Sequence, residues 1–213
     1  MLLKEACVEN FTDIPAALRA GANRIELNDN LTVGGTTVSR GVMAEAIRYV
    51  HEHDAGIVCM IRPRSGNFVY TDTELKIMEA DLFVAQELGA DGVAFGALTK
   101  DHWLDEEAME NLIGAAGGMN VVMHMAFDEI PAARQQAAID WLAAHDVSRI
   151  LTHGGPLSVP IAQTVPHLQE LVKMAAGKLE ILPGGGVTAA NVDEITAAIG
   201  VKQAHGTKVV TFK

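Results

Sequence analysis

Short hydrophobic runs alternate along the chain with longer segments in which apolar residues recur every three or four positions. The runs cover residues 2–8, 24–28, 56–61, 92–95, 120–125, 149–152, 179–182 and 201–205. A buried strand followed by an amphipathic helix explains this alternation, and strands separated by helices pair in parallel. The pattern therefore predicts eight βα units.

Residues 72–88 give the clearest helical pattern. Apolar residues recur on one side of this segment, at Leu75, Met78, Leu82, Ala85 and Leu88. Thr71 and Glu74 have the spacing of a capping box at its start. Gly89 follows its end, where glycine accepts the left-handed conformation that closes a helix. This helix is predicted to cover one side of the sheet.

Eight βα steps favour a closed (β/α)8 barrel, a TIM barrel of the α/β class, over a doubly wound sheet, which usually has fewer strands. No stretch resembles an interdomain linker, so the barrel is expected to fill residues 1–213 as a single domain.

The end of the chain is short for such a barrel. The residues after His205 are too few for a full closing helix, so we predict a short variant with a truncated last helix. The tail is apolar at Val209, Val210 and Phe212. Part of the outer wall is then left uncovered, and a partner subunit would cover it. We expect a homo-oligomer, a dimer or higher.

Composition excludes several classes of function. The formal net charge is −11 and the 16 lysines and arginines are scattered, whereas nucleic-acid binders carry a basic patch. No signal peptide or membrane-spanning apolar run is apparent. The only cysteines, Cys7 and Cys59, fit reduced thiols better than a disulfide framework. We expect a cytoplasmic protein that binds neither nucleic acid nor a membrane.

In these barrels the working site lies where the strands end and the following loops begin. The chemically capable residues near the predicted strand ends are Glu5, Glu26, Arg62, His124, Asp128 and His205. We take them as candidate catalytic residues.

The charged members of this set should meet if they face the barrel. Glu5, Glu26 and Arg62 lie in or beside apolar strands, where an unpaired charge is costly. An arginine held by two carboxylates is one arrangement that would satisfy them. The alternative interpretation is a structural ion-pair network at the top of the core.

The histidines have the same two interpretations. His124 and His205 carry imidazoles that titrate near neutral pH, which suits acid–base chemistry or metal binding. Asp128, four residues after His124, is a candidate to orient it. The alternative is that both are satisfied core histidines.

A glycine turn and an arginine loop are candidates for binding a small anion. Gly184, Gly185 and Gly186 follow a strand and precede a helix, where backbone N–H groups favour phosphate or carboxylate. Thr152 and Arg64 are further candidate ligand-binding residues. A tight turn at the glycines and a structural clamp at the arginines are the alternatives.

The spacing of the cysteines gives little support to a metal site. Alternation along the third strand places Cys59 on the opposite face from Arg62, so Cys7 and Cys59 need not meet. The chain has no CxxC motif.

Several long motifs resemble those of the CutC family. They are Arg24-Ile25-Glu26-Leu27, Gly34-Gly35-Thr36, Met60-Ile61-Arg62-Pro63-Arg64 with Gly66, Phe68 and Tyr70, then His124, Ala126-Phe127-Asp128, Arg149-Ile150-Leu151-Thr152, Pro183-Gly184-Gly185-Gly186 and His205. The resemblance implies a (β/α)8 barrel, a homo-oligomer, and a copper homeostasis role in which copper binding is attributed to some members. It also implies that Cys7, and with it Cys59, are the candidate metal ligands.

Two positions depart from the family pattern. Asn28 stands where the family commonly has cysteine, which removes a soft ligand. Met125 stands where the family usually has arginine, which removes a positive charge. Two hypotheses follow: a non-enzymatic copper-binding protein, which the resemblance favours, or an isomerase, lyase or hydrolase acting on a small anionic metabolite, which the residues favour.

Overall fold

The computed structural model describes residues 2–211, which form eight strands and seven α-helices. The strands are β1 (Leu3–Glu9), β2 (Arg24–Asn28), β3 (Gly56–Met60), β4 (Gly92–Phe95), β5 (Asn120–Met123), β6 (Val147–Thr152), β7 (Glu180–Pro183) and β8 (Gln203–Gly206). The helices are α1 (Ile14–Arg19), α2 (Arg40–His51), α3 (Asp72–Leu88), α4 (Glu106–Ala115), α5 (Ala132–Ala144), α6 (Ile161–Ala175) and α7 (Val192–Ile199). Short 3₁₀ helices cover Leu31–Val33 and Met125–Glu129.

The strands form one parallel sheet in the order β7-β6-β5-β4-β3-β2-β1-β8. β7 also lies against β8, so the sheet curls into the predicted (β/α)8 barrel. At this seam the Gln203 side chain donates to Glu180, and Thr188 forms a parallel bridge with Lys208. The predicted fold is confirmed.

The helix at α3 begins and ends as its sequence pattern predicts. Thr71 accepts from the backbone N–H of Glu74, and Glu74 accepts from that of Thr71, which completes the capping box. Gly89 closes the helix at a φ of 83°.

The chain end differs in part from the expectation. Within residues 2–211 no helix follows β8, so the last helix is truncated as predicted. Val209 and Val210, however, are buried in the chain's own core and need no partner subunit to cover them. Phe212 lies outside the described residues. None of the helices described between residues 2 and 211 is long and apolar enough to cross a membrane.

The inside of the barrel has an apolar half and a polar half. In the apolar half, β3–β7 contribute a small cluster that includes Val58, Met60 and Leu151. In the polar half, alternate residues of β1, β2 and β8 are Glu5, Cys7, Arg24, Glu26, Asn28, Gln203 and His205, while the residues between them pack against the helices. The sequence therefore concentrates buried polar groups on three adjacent strands.

Gly206 ends β8 at the seam, where the neighbouring backbone passes very close. A Cβ on Gly206 would lie 2.5 Å from the carbonyl oxygen of Val187. We predict that Gly206→Ala lowers the free energy of unfolding by about 1–3 kcal/mol, because the barrel must open locally to accept a methyl group.

Urea denaturation measures this effect, and Gly41→Ala is the matched control. Gly41 lies in the first turn of α2 with open space around its Cα. Alanine there should stabilise the protein by up to about 1 kcal/mol. Equal effects of the two substitutions would contradict the steric explanation.

Candidate functional site

A buried ion-pair network lies in the polar half of the barrel. Glu5 accepts from Arg24 through one carboxylate oxygen and lies 2.8 Å from Nδ1 of His205 through the other. Arg24 also donates to Oε1 of Gln203 at 2.9 Å. Although burial alone would raise the pKa of Glu5, its hydrogen bond with His205 and the charge of Arg24 lower it to about 2. Glu5 is therefore a carboxylate with two cationic partners.

The far side of the His205 ring faces a second cluster. Nε2 of His205 lies 3.8 Å from Oε2 of Glu26, and the thiol of Cys7 donates to the same oxygen at 3.5 Å. The amide of Asn28 donates to that oxygen at 2.8 Å and to Sγ of Cys7 at 3.4 Å. Within residues 2–211, Oε1 of Glu26 has no hydrogen-bond partner. One ligand atom from each of Cys7, Glu26 and His205 lies within 4.8 Å of the other two.

The protonation states of this cluster follow from burial and charge. Burial and the neighbouring Glu26 raise the pKa of Cys7 to about 11, so the free thiol keeps its proton. Burial would lower the pKa of His205, but the charge of Glu26 and hydrogen bonds with Cys7 and Glu5 raise it well above its ordinary value. Burial also raises the pKa of Glu26. A metal ion would replace protons on this cluster.

Arg62 lies just beyond β3 and does not join the carboxylates. Its Nη1 donates to the carbonyl oxygens of Val33 and Gly35 at 3.0 Å, and its Nη2 donates to that of Gly66 at 2.8 Å. The expectation that Glu5 and Glu26 hold Arg62 is therefore wrong. Arg24 is the arginine that contacts Glu5, because it lies directly opposite Glu5 in the β1–β2 register.

His124 lies at the start of the 3₁₀ helix Met125–Glu129, not within the strand that was predicted over 120–125. Its Nδ1 accepts from the backbone N–H of Ala126 at 3.3 Å, which makes Nε2 the protonated nitrogen of the neutral ring. Burial, and then the charge of Arg62, lower the pKa of His124 to about 3. Within the described residues Nε2 has no partner.

Asp128 does not orient His124, contrary to expectation. Its carboxylate accepts from the hydroxyl of Thr152 and from the backbone N–H groups of His153 and Gly154. Burial raises the pKa of Asp128 despite these bonds. Asp128 and Thr152 therefore hold the loop after β6.

Arg64 acts as a clamp within its own loop. It forms a salt bridge with Glu74 at the start of α3 and donates to the carbonyl oxygens of Asn67 and Val69 at 2.8 Å. These contacts support the structural interpretation of Arg64 and leave anion binding there as an untested prediction.

A cavity of about 470 Å³ opens where the strands end. Cys7, Glu26 and His205 line it, and so do Arg62, His124, Gly185 and Gly186. The two glycines have φ values of 73° and 91°, so the turn needs residues without a Cβ. Gly184 donates its N–H to Thr152 and stands outside this lining.

Cys59 lies on the other face of the sheet. It packs between β3 and the helices, and burial raises its pKa to about 12. Cys7 and Cys59 therefore share no site, as strand alternation indicates. Arg24 and Gln203 belong to the buried ion-pair network but were missed, because the sequence alone does not give the strand register.

Comparisons with known proteins give a consistent match. A model of the CutC family matches residues 2–210. A family protein CutC of Enterococcus faecalis is 52% identical over 209 residues, which are 98% of this chain and 100% of that protein. The human copper homeostasis protein cutC homolog is 36% identical over 203 residues, covering 95% of this chain and 72% of that protein. A crystal structure of CutC from Streptococcus agalactiae, 48% identical, superposes with a TM-score of 0.96 and covers 99% of this chain and 100% of that one.

Proposed function

The chain belongs to the CutC family, and we propose that it serves copper homeostasis by binding a copper ion at Cys7, Glu26 and His205. The convergence of these three ligand atoms within 4.8 Å, on the wall of a cavity, is the observation that carries the proposal. Copper(I) selects thiolate and thioether ligands, and imidazole also suits copper.

The donor set fits a copper ion in three further respects. Oε1 of Glu26 is buried and has no partner within residues 2–211, so the carboxylate has a free ligand position. The thioethers of Met60 and Met125 line the same cavity and are soft donors. Glu5 holds the imidazole of His205 from its other nitrogen, as an outer carboxylate does in many metal sites.

Cys7→Ala should weaken Cu(I) binding by roughly 100-fold or more, because it removes the one thiol of the cluster. Anaerobic competition with a chromogenic Cu(I) chelator measures the affinity. Cys59→Ala is the matched control, since Cys59 lies outside the cavity, and it should bind Cu(I) as the unmodified protein does. Equal affinity in Cys7→Ala would exclude the proposed site.

Asn28→Cys tests the same site in the opposite direction, because it should raise the affinity for Cu(I). The Asn28 amide lies 3.4 Å from Sγ of Cys7 and 2.8 Å from Oε2 of Glu26, so a thiol there would add a soft ligand. Cu(I) affinity should then rise by about tenfold or more. An unchanged affinity would show that the ion does not sit between these groups.

The cytoplasmic location and the homo-oligomer stay predictions of the sequence. Ile77 and Phe83 of α3 are the exposed apolar side chains on which an oligomeric contact would be sought.

A further inference from the structure

We propose that the cavity at the strand ends binds a small organic oxyanion, a carboxylate or a phosphate ester, through Arg62, His124 and the turn at Gly185 and Gly186. The anion site shares its cavity with the proposed copper ligands but uses other residues, and the proposal does not depend on copper binding. Three features of the described residues support it: an unneutralised buried cation, a buried donor without an acceptor, and an apolar wall.

The cation is the guanidinium of Arg62, which is 5% exposed and lines the cavity. Its bonds go to three backbone carbonyl oxygens, and no carboxylate within residues 2–211 lies at salt-bridge distance. Its Nε has no partner there either. Carbonyl oxygens satisfy N–H groups but leave the positive charge in place, and a buried charge without a counter-ion is costly. A bound anion would supply that counter-ion.

The buried donor is Nε2 of His124. The ring is 3% exposed, packs against Phe68 with centroids 4.8 Å apart, and is held by the bond from Ala126 to Nδ1. Phe68 in turn lies beneath the Arg62 guanidinium at 5.0 Å. This arrangement places a neutral N–H donor next to a cation, a combination that binds an oxygen atom of an anion. A buried donor that makes no hydrogen bond costs free energy, and a bound anion would remove that cost.

The rest of the lining favours an organic ligand over a bare ion. Lys208 also lines the cavity and adds a further positive charge, whereas Glu26 is the single carboxylate among the lining residues. Leu31, Leu151, Leu157 and Val187 form apolar wall, and Leu157 is 65% exposed although it lies against the glycine turn. A carbon skeleton would cover these side chains. The volume is in the range of small-molecule sites.

Isothermal titration of the chelator-treated, metal-free protein tests the proposal with three matched probes: glycerate, glycerol 3-phosphate and glycerol. We expect at least one of the two anions to bind with a Kd of about 1 mM or tighter, and neutral glycerol to bind much more weakly. The preferred anion identifies the oxyanion as a carboxylate or a phosphate ester. Absence of binding by both anions at about ten times that concentration would overturn the proposal.

Variants locate the binding site. Asparagine at position 124 can still accept from Ala126 but lacks the Nε2 donor, so His124→Asn should weaken binding by about tenfold. Arg62→Met should abolish binding, and its circular dichroism and melting transition verify folding. Lys208→Gln should weaken binding, whereas Lys202→Gln, beyond the opposite end of β8, should not.

The outcome is independent of copper. The titration uses metal-free protein, and Cys59→Ala should bind the anion as the unmodified protein does, because Cys59 lies on the other face of the sheet and does not line the cavity. Anion binding that survives His124→Asn and Arg62→Met unchanged would place the ligand elsewhere and overturn the inference.

Discussion

Glu5→Gln is expected to lower the free energy of unfolding by about 3–5 kcal/mol, the usual cost of removing one partner of a buried ion pair. Glutamine keeps the size of the side chain but removes the charge that faces Arg24 and His205. Both cations would then lie inside the barrel without their main counter-ion. Urea denaturation at neutral pH, with the slope of the transition checked for constancy, measures the change.

Two comparisons distinguish this explanation from a general loss of charge. Glu87→Gln removes the ion-pair partner of Arg40, 2.7 Å away, but that pair is exposed on the surface, so stability should change little. A double-mutant cycle of Glu5→Gln with Arg24→Met should give less destabilisation than the sum of the two single changes. If Glu5→Gln is no more harmful than Glu87→Gln, the network does not stabilise the barrel.

The barrel was predictable because its signals are local. Each strand is a short apolar run, and the capping residues Thr71 and Glu74 mark the start of α3 in the sequence itself. Strand alternation in the sequence also predicts that Cys7 and Cys59 lie on different faces of the sheet, since side chains two residues apart share a face. The convergence of Glu5, Glu26 and His205 follows from the same periodicity.

The partners of these residues were not predictable, because they depend on register and on loop paths. Arg24 meets Glu5 since the two are opposite each other across β1 and β2, and no feature of either strand alone gives that register. Arg62 extends past β3 into a ring of loop carbonyl oxygens. Asp128 follows His124 in sequence, but the intervening 3₁₀ helix turns its carboxylate toward the loop after β6.

The two titrating histidines of the cavity have opposite charge states for one physical reason. His205 lies between Glu5 and Glu26, and these carboxylates outweigh the cost of burying its charge. His124 is just as buried, but its charged neighbour is Arg62, which adds to that cost. The polar half of the barrel thus holds the imidazolium of His205, which would lose a proton on binding a metal ion. The opposite wall holds the neutral N–H donor of His124.

Lowering the pH is therefore expected to destabilise the fold through His124 at pH values above those at which most carboxylates take up a proton. The pKa of His124 is about 3 when folded and near 6.5 when unfolded, so the unfolded chain binds the proton first as pH falls. The stabilisation is fully present above pH 6.5 and is lost between pH 6.5 and 3.

The measurement is the difference in free energy of unfolding between the unmodified protein and His124→Asn, obtained by urea denaturation at several pH values. That difference should fall as the pH drops below 6.5, with a slope that approaches about 1.4 kcal/mol per pH unit near pH 5. Glu26 and Asp128, whose pKa values are raised, contribute to the pH dependence of the free energy of unfolding with the opposite sign. Glu5 contributes only below pH 4.5. All three residues are present in both proteins, so their contributions largely cancel in the difference. A difference that stays constant with pH would mean that folded His124 takes up a proton as readily as the unfolded chain, and the neutral donor assigned to it would be lost.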